Sequence, residues 1–167
     1  MKKEVLIRKV QQGDANALAY IQTESWKAAF AGILDAEILA KCTNIDRATA
    51  MYQGLLDENK GHGYLLTVDG EPHCIAYWDA ARDPEFVGKA ELICIHSLPD
   101  NWHKGFGSQM MDLVLMDIKK SGYSEVVLWV FRDNLRARAF YEAKGFALKG
   151  IAQSAFDTEE VLYSKGL

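Results

Sequence analysis

Cysteine and proline are scarce in this chain, with three of each among 167 residues. Cys42, Cys74 and Cys94 are odd in number and lack metal-type spacing. That argues against a disulfide framework and against a zinc or other metal site. Cys74 and Cys94 lie inside apolar runs, where a thiol usually acts as a small buried hydrophobe. Long apolar runs are missing too, and none approaches the roughly 18 residues of a spanning helix. In MKKEVLIRKV, three apolar residues follow the lysines before Arg8 interrupts. A secretory core needs about 7–15 apolar residues, so the sequence predicts no signal peptide, no membrane partner and a cytoplasmic address. Positive charge is also short, at 19 Lys and Arg against 23 Asp and Glu, a net -4. With a pI near 5.6, nucleic acid is not an expected partner, because neutralising phosphates needs a basic face. Neutral or cationic partners suit this balance better, and a local basic patch can still hold an anion.

The remaining composition is that of a folded protein. Hydrophobic residues make up 49% and charged residues 25%, which disfavours wholesale disorder. Repeats, low-complexity tracts and Pro/Gly-rich linkers are absent, and the length fits a single domain over residues 1–167. Residues 4–10 alternate apolar and polar as a strand does. Asp14 or Asn16 can cap a helix over residues 17–30, which carries Leu18, Ile21, Trp26 and Phe30 on one face. A helical region in two pieces follows, over residues 35–57. GYLLTV and HCIAYWDAA flank Asp69-Gly70, a strong hairpin signal because both residues tolerate positive φ. A third strand, AELICIHSL, ends at Pro99. A helix over residues 104–122, a strand SEVVLWVF, a helix over residues 134–145 and two short strands complete the chain. SEVVLWVF is apolar on both faces, as a central strand covered on both sides should be. An early hairpin and a later strand–helix–strand crossover predict a mixed sheet in an α/β or α+β domain.

The segment SLPDNWHKGFGSQMM carries the clearest chemistry. A strand ends, a short loop follows, and Lys104-Gly105-Phe106-Gly107-Ser108 opens a helix. Glycines let backbone N–H groups approach a ligand closely. The first N–H groups of a helix lack internal partners and sit at its positive end, so they suit phosphate or pyrophosphate. Neither GxxxxGK[ST] nor GxGxxG is matched, since Met110 stands where the third glycine of the latter would be. A glycine-rich turn without a ligand is the competing reading.

Several motifs in order reduce that ambiguity. Glu91-Leu92-x-x-Ile95 precedes Pro99. The loop follows, then LWV, then Asn134-x-x-Ala137-x-x-Phe140-Tyr141-x-x-x-Gly145-Phe146. From about residue 91 to 150 this resembles the GNAT-type N-acetyltransferase superfamily. Its loop reads Q/R-x-x-G-x-G/A, and its late helix ends N-x-x-A-x-x-F-Y-x-x-x-G-F. The first-helix segment ESWKAAFAGIL is also similar to small-molecule members. The chain departs from the pattern at Trp102, in the Q/R position, and at His103, where glycine is frequent.

The resemblance implies a mostly antiparallel mixed sheet flanked by helices, with a strand–phosphate loop–helix cofactor site. It implies an acetyl-CoA-dependent N-acetyltransferase, with acetyl-CoA as donor and no metal. The acceptor would be a primary amine of a small molecule or a protein, and a homodimer is among the assemblies open to it. By resemblance, backbone groups of Ile95, His96 and Ser97 pair with the pantetheine arm. Residues His103, Lys104, Gly105, Phe106, Gly107 and Ser108 cradle the pyrophosphate, and Asn134 touches pantetheine. Tyr141 is the acid that protonates the leaving thiolate. Asn134 and Tyr141 are seven residues apart, two turns along one helix face. Glu91 is a candidate base acting through a water, its pKa raised by partial burial. It is expected on one strand face with Ile93, Ile95 and Ser97. An exposed edge charge is the competing reading, with His96 and Asp79 as alternative bases. Arg132, Arg136 and Arg138 fit either the adenosine-end phosphate or a solvated helix face. Trp26, Phe30, Tyr77 and Trp78, with Glu24, Asp79 or Asp83, are candidates for the amine pocket. The alternative function is a GNAT-fold acyl-CoA-binding module, catalytically weak or inactive, acting as a sensor or partner-binding protein. Trp102 and His103 keep that alternative in view.

Overall fold

The computed structural model describes residues 1–167, apart from the side chain of Ser154. Seven strands form one sheet in the order β1-β2-β3-β4-β5-β7-β6. They are β1 Val5–Lys9, β2 His62–Val68, β3 Glu71–Ala80, β4 Ala90–Ser97, β5 Glu125–Phe131, β6 Ala147–Ala155 and β7 Thr158–Gly166. All neighbours are antiparallel except β4 and β5. The helices are α1 Ala15–Ala29, α2 Ala36–Cys42, α3 Ile45–Asp57, α4 Phe106–Lys120 and α5 Leu135–Ala143. This is the mixed, mostly antiparallel sheet expected from the sequence, with the helical region after residue 35 in two pieces. None of the helices is long and apolar enough to cross a membrane.

The sequence patterns explain the layers. Met110, Met111, Val114 and Ile118 recur at helical spacing on α4 and pack on Tyr64, Leu66, Trp78 and Leu128 of the sheet. Leu18, Ile21 and Tyr52 of α1 and α3 cover the other face, over Leu65, Ile75 and Tyr77. The β2–β3 hairpin turns at Asp69 and Gly70, both at positive φ (51° and 84°), as that dipeptide allows. Asp14 precedes α1 without capping it. Its carboxylate instead accepts from the Gln11 N–H and pairs with Arg8.

Two irregularities make the site. Tyr77 pairs with Cys94 while Trp78 pairs with Leu92, so Ile93 is an extra residue, a β-bulge on β4. The expected alternation of Glu91, Ile93, Ile95 and Ser97 on one face therefore breaks. Beyond the bulge Ile95 shares the face of Leu92, against the core under α4. Cys94 turns toward α1 and α3. The second irregularity is that β4 and β5 pair only at Ala90↔Val126 and Glu91↔Val127 among the described residues. After that they part, leaving the later edge of β4 open. The Leu98 N–H donates to the His73 carbonyl at 3.0 Å. By the two-residue alternation of an antiparallel ladder, the His96 backbone also faces β3, while Ile95 and Ser97 turn theirs toward the gap.

Candidate active site

A cleft of about 1100 Å³ occupies the gap between β4 and β5. The phosphate-loop segment closes one end. Gly105 caps α4 with φ 84° and no side-chain hydrogen bond, and His103 is also left-handed at φ 62°. A Cβ on Gly105 would meet nothing within 4 Å, so glycine is required there by φ rather than by crowding. The Gln109 N–H donates to the Gly105 carbonyl at 3.1 Å. The N–H groups of Phe106, Gly107 and Ser108 precede that first helical bond and are the open donors of the helix end. His103, Gly105, Gly107 and Ser108 line the cleft. The Lys104 side chain is exposed outside the lining, and the Phe106 ring packs 5.5 Å from His73. Neither Lys104 nor Phe106 is among the residues that line the cleft.

Trp102 lines the cleft and does not fill it. Its indole N–H donates to the Ser97 carbonyl at 3.0 Å. The Arg136 guanidinium lies 3.5 Å over the ring centroid. Of Arg132, Arg136 and Arg138, only Arg136 lines the cleft. Arg132 pairs with Asp133 and Glu159. Arg138 donates to the Tyr163 hydroxyl and to the Arg132 carbonyl.

The floor carries the titratable groups. Asn134 caps α5 by accepting from the Ala137 N–H at 3.3 Å and lines the cleft with Tyr141. Tyr141 is 9% exposed. Burial raises its pKa well above the ordinary 10.0, with the nearby Arg136 charge in partial opposition. A tyrosine in that state stays protonated through the neutral range. His96 accepts from the Trp26 indole N–H on Nε2 at 3.2 Å. Indole nitrogen only donates, so Nε2 is bare and the ring proton sits on Nδ1. Burial lowers the His96 pKa to about 4, and the Arg136 charge adds to that. As an alternative base His96 is ill suited, with its bare nitrogen engaged. Burial pushes the Cys94 thiol up to about 12, far from the thiolate that a nucleophile needs.

Glu91 is not among the cleft-lining residues. It is 4% exposed, which excludes the exposed edge charge and also a carboxylate open to substrate. Its Oε1 accepts from the Arg82 backbone N–H at 3.1 Å and from Nε at 3.2 Å, and its Oε2 accepts from Nη2 at 2.6 Å. The bulge sets this up by placing Glu91 opposite Asp79 on β3. Arg82, which the sequence did not single out, lines the cleft and holds Glu91.

Among the amine-pocket candidates, Trp26, Phe30, Tyr77 and Asp79 line the cleft. Three others lie elsewhere. Trp78 is buried, stacked 4.0 Å from His62 and donating to the Tyr64 hydroxyl. Glu24 pairs with Lys27 on the surface. Asp83 caps the turn at Pro84–Phe86 by accepting from the Glu85 N–H. Tyr52, Ile93, Trp129 and Glu160 join the lining. They come from four different elements, α3, β4, β5 and β7, and share no local motif.

The chain has counterparts among known proteins. Residues 24–146 match the model of the acetyltransferase (GNAT) family. A spermidine N(1)-acetyltransferase of Thermoplasma acidophilum is 28% identical over 163 residues, covering 92% of this chain and 95% of that protein. A mycothiol acetyltransferase of Geodermatophilus obscurus is 30% identical over 89 residues, covering 50% of this chain and 28% of that protein. The crystal structure of PaiA N-acetyltransferase from Thermoplasma acidophilum in complex with coenzyme A superposes with a TM-score of 0.84 at 22% identity. That superposition covers 98% of this chain and 99% of the other. The matched residues run from α1 through the bulge, the loop and α5 to Phe146, and a chain that matches over all of these belongs to the GNAT family of acetyltransferases.

Proposed function

We propose that this chain moves an acetyl group from acetyl-CoA directly to the primary amine of a cationic small molecule. The observation that carries the reading is the Tyr141 hydroxyl. It is buried, held protonated, and shares one cleft with the open N–H groups at the start of α4. Those N–H groups and His103 receive the pyrophosphate of the donor. Ile95 offers N–H and C=O along the open edge of β4 to the pantetheine amides, as an added strand would. Ser97 offers its N–H alone, because Trp102 occupies its carbonyl. His96 contributes its ring rather than its backbone. Asn134 stays a cap beside the pantetheine. A β4 amide next to the bulge polarises the thioester carbonyl, and Tyr141 protonates the departing thiolate.

The amine must arrive without its extra proton. Glu91 has both oxygens bound by Arg82 and does not line the cleft, so we assign the proton to Asp79. Its Oδ1 accepts only from the adjacent Ala80 N–H, and the residue lines the cleft. Transfer is direct, because the Cys94 thiol is too weakly acidic to carry the acetyl group. The acceptor assignment rests on the carboxylates of Asp79 and Glu160, which line the same cleft as Trp26 and Phe30. Its second support is the relative named for spermidine, which aligns along nearly the whole chain.

Incubation with acetyl-CoA and a panel of diamines, polyamines, amino acids and peptides, read by thiol release, tests this. Release with the small polycations and little with peptides is expected. Coenzyme A binding with no thiol release from any acceptor would overturn the enzyme reading in favour of a binding module.

A further inference from the structure

Two cations that line the cleft, Lys60 and Arg136, make none of the described ion pairs, and of these only Arg136 stands on α5 beside the phosphate loop. Arg136 makes none of the described ion pairs or hydrogen bonds to side chains; its contact is the face of Trp102 at 3.5 Å. It stands in the first turn of α5, where the helix dipole disfavours positive charge. Partial burial, which lowers its pKa, is a further cost that no carboxylate offsets. The platform beneath it is fixed, because the Trp102 indole N–H is bound to the Ser97 carbonyl at 3.0 Å. The other cations near the loop are committed or face away. Lys104 is exposed outside the lining, and Arg132 and Arg138 are held by Glu159, Asp133 and Tyr163. Gly107 and Ser108 at the start of α4 line the same cleft, and a Cβ on Gly107 would lie 3.6 Å from Phe140 of α5, so the two helix starts are neighbours.

We infer that Arg136, seated on Trp102, is the side chain that binds the diphosphate of the donor, closing over it from α5 while the α4 amides hold it from the other side. This rests on the coenzyme A reading given above. A guanidinium matches two phosphate oxygens at once, and stacking on an indole holds its plane without using its N–H groups. Trp102 is then a positioning residue for Arg136. It accounts for a bulky aromatic in a loop whose task is to bind an anion.

Calorimetric titration with coenzyme A, dephospho-coenzyme A and pantetheine tests the assignment. Arg136→Gln should weaken coenzyme A by about 10- to 100-fold, the range of one or two charge-assisted hydrogen bonds. Dephospho-coenzyme A should weaken equally, and pantetheine, which has no phosphate, should not. Arg136→Lys keeps the charge without the planar stack and should fall between. Trp102→Leu should cost nearly as much as Arg136→Gln, and the double variant no more than either alone. Unchanged coenzyme A affinity in Arg136→Gln would overturn the inference, as would strictly additive losses. A loss confined to coenzyme A, absent with dephospho-coenzyme A, would move the contact to the 3′-phosphate and overturn the diphosphate assignment. Failure of the unaltered protein to bind coenzyme A would overturn the proposed function itself.

Discussion

Glu91 and Arg82 form a lopsided pair. The closest approach is 2.6 Å, with the carboxylate side chain 5% exposed and the guanidinium side chain 66% exposed. The two partners are therefore unequal in what their loss leaves behind. Arg82→Ala strands a buried carboxylate beside Asp79 and should cost about 3 kcal/mol. Glu91→Gln removes the buried charge and leaves Arg82 facing water, so about 1 kcal/mol is expected. Urea unfolding of both variants checks the order. Equal or reversed losses would mean the carboxylate is not the buried member. Glu91→Gln should also retain kcat within a few-fold, whereas a base would lose far more.

Tyr141→Phe removes the proposed acid and little else, because no described hydrogen bond depends on the hydroxyl. A fall in kcat of about 10- to 1000-fold is expected, with the affinity for coenzyme A nearly unchanged. The acid must be protonated to act, and burial raises the Tyr141 pKa above its ordinary 10.0. The kcat profile should accordingly show no descending limb below about pH 10 in the unaltered enzyme. A full-rate Phe variant would dismiss the role.

The legible parts of the sequence were those written in local pattern. The β2–β3 hairpin at Asp69-Gly70, the apolar face of α4, the cap at Asn134 and the loop glycines are each specified within a few residues. The parts that stayed hidden depend on one inserted residue or on distant partners. Ile93 fits an alternating strand by composition, and only its pairing opposite Tyr77 and Trp78 reveals the bulge that puts Glu91 and Ile95 on different faces. Arg82 lies in a loop without a motif, so its hold on Glu91 needs the fold. Trp102 and Arg136 are both visible in the sequence, yet 34 positions apart nothing local says that one stacks on the other. Trp78 and Tyr77 are adjacent and chemically alike, and the pleat alone decides that Tyr77 faces the cleft while Trp78 serves the opposite core.

Gly105 and Gly107 should separate backbone strain from ligand approach. Gly105 has φ 84° with open space around its Cβ position. Gly105→Ala should then cost about 1 kcal/mol in stability from the left-handed conformation and also disturb the loop. At Gly107 no left-handed φ is required, and a Cβ would meet Phe140 at an ordinary 3.6 Å. Gly107→Ala should leave the melting temperature nearly unchanged, so that any weakening of coenzyme A binding measures the approach of the phosphate to the helix amides. A large loss of stability at Gly107, or none at Gly105, would reverse this division.

His96 should make the fold acid-sensitive in a defined window. Its pKa is about 4 in the folded chain against 6.5 for the free side chain. As pH falls below 6.5 the unfolded chain takes up a proton that the folded chain refuses, so stability is full above 6.5 and declines toward 4. The slope from this one site is at most about 1.4 kcal/mol per pH unit. His96→Gln keeps an acceptor for the Trp26 indole and removes the titration. The difference in unfolding free energy between the two proteins, followed from pH 7 to pH 4.5, should therefore shift progressively in favour of the glutamine variant. A difference that stays constant across that range would mean that His96 takes its proton as easily folded as unfolded, and that its Nε2 is not held by Trp26.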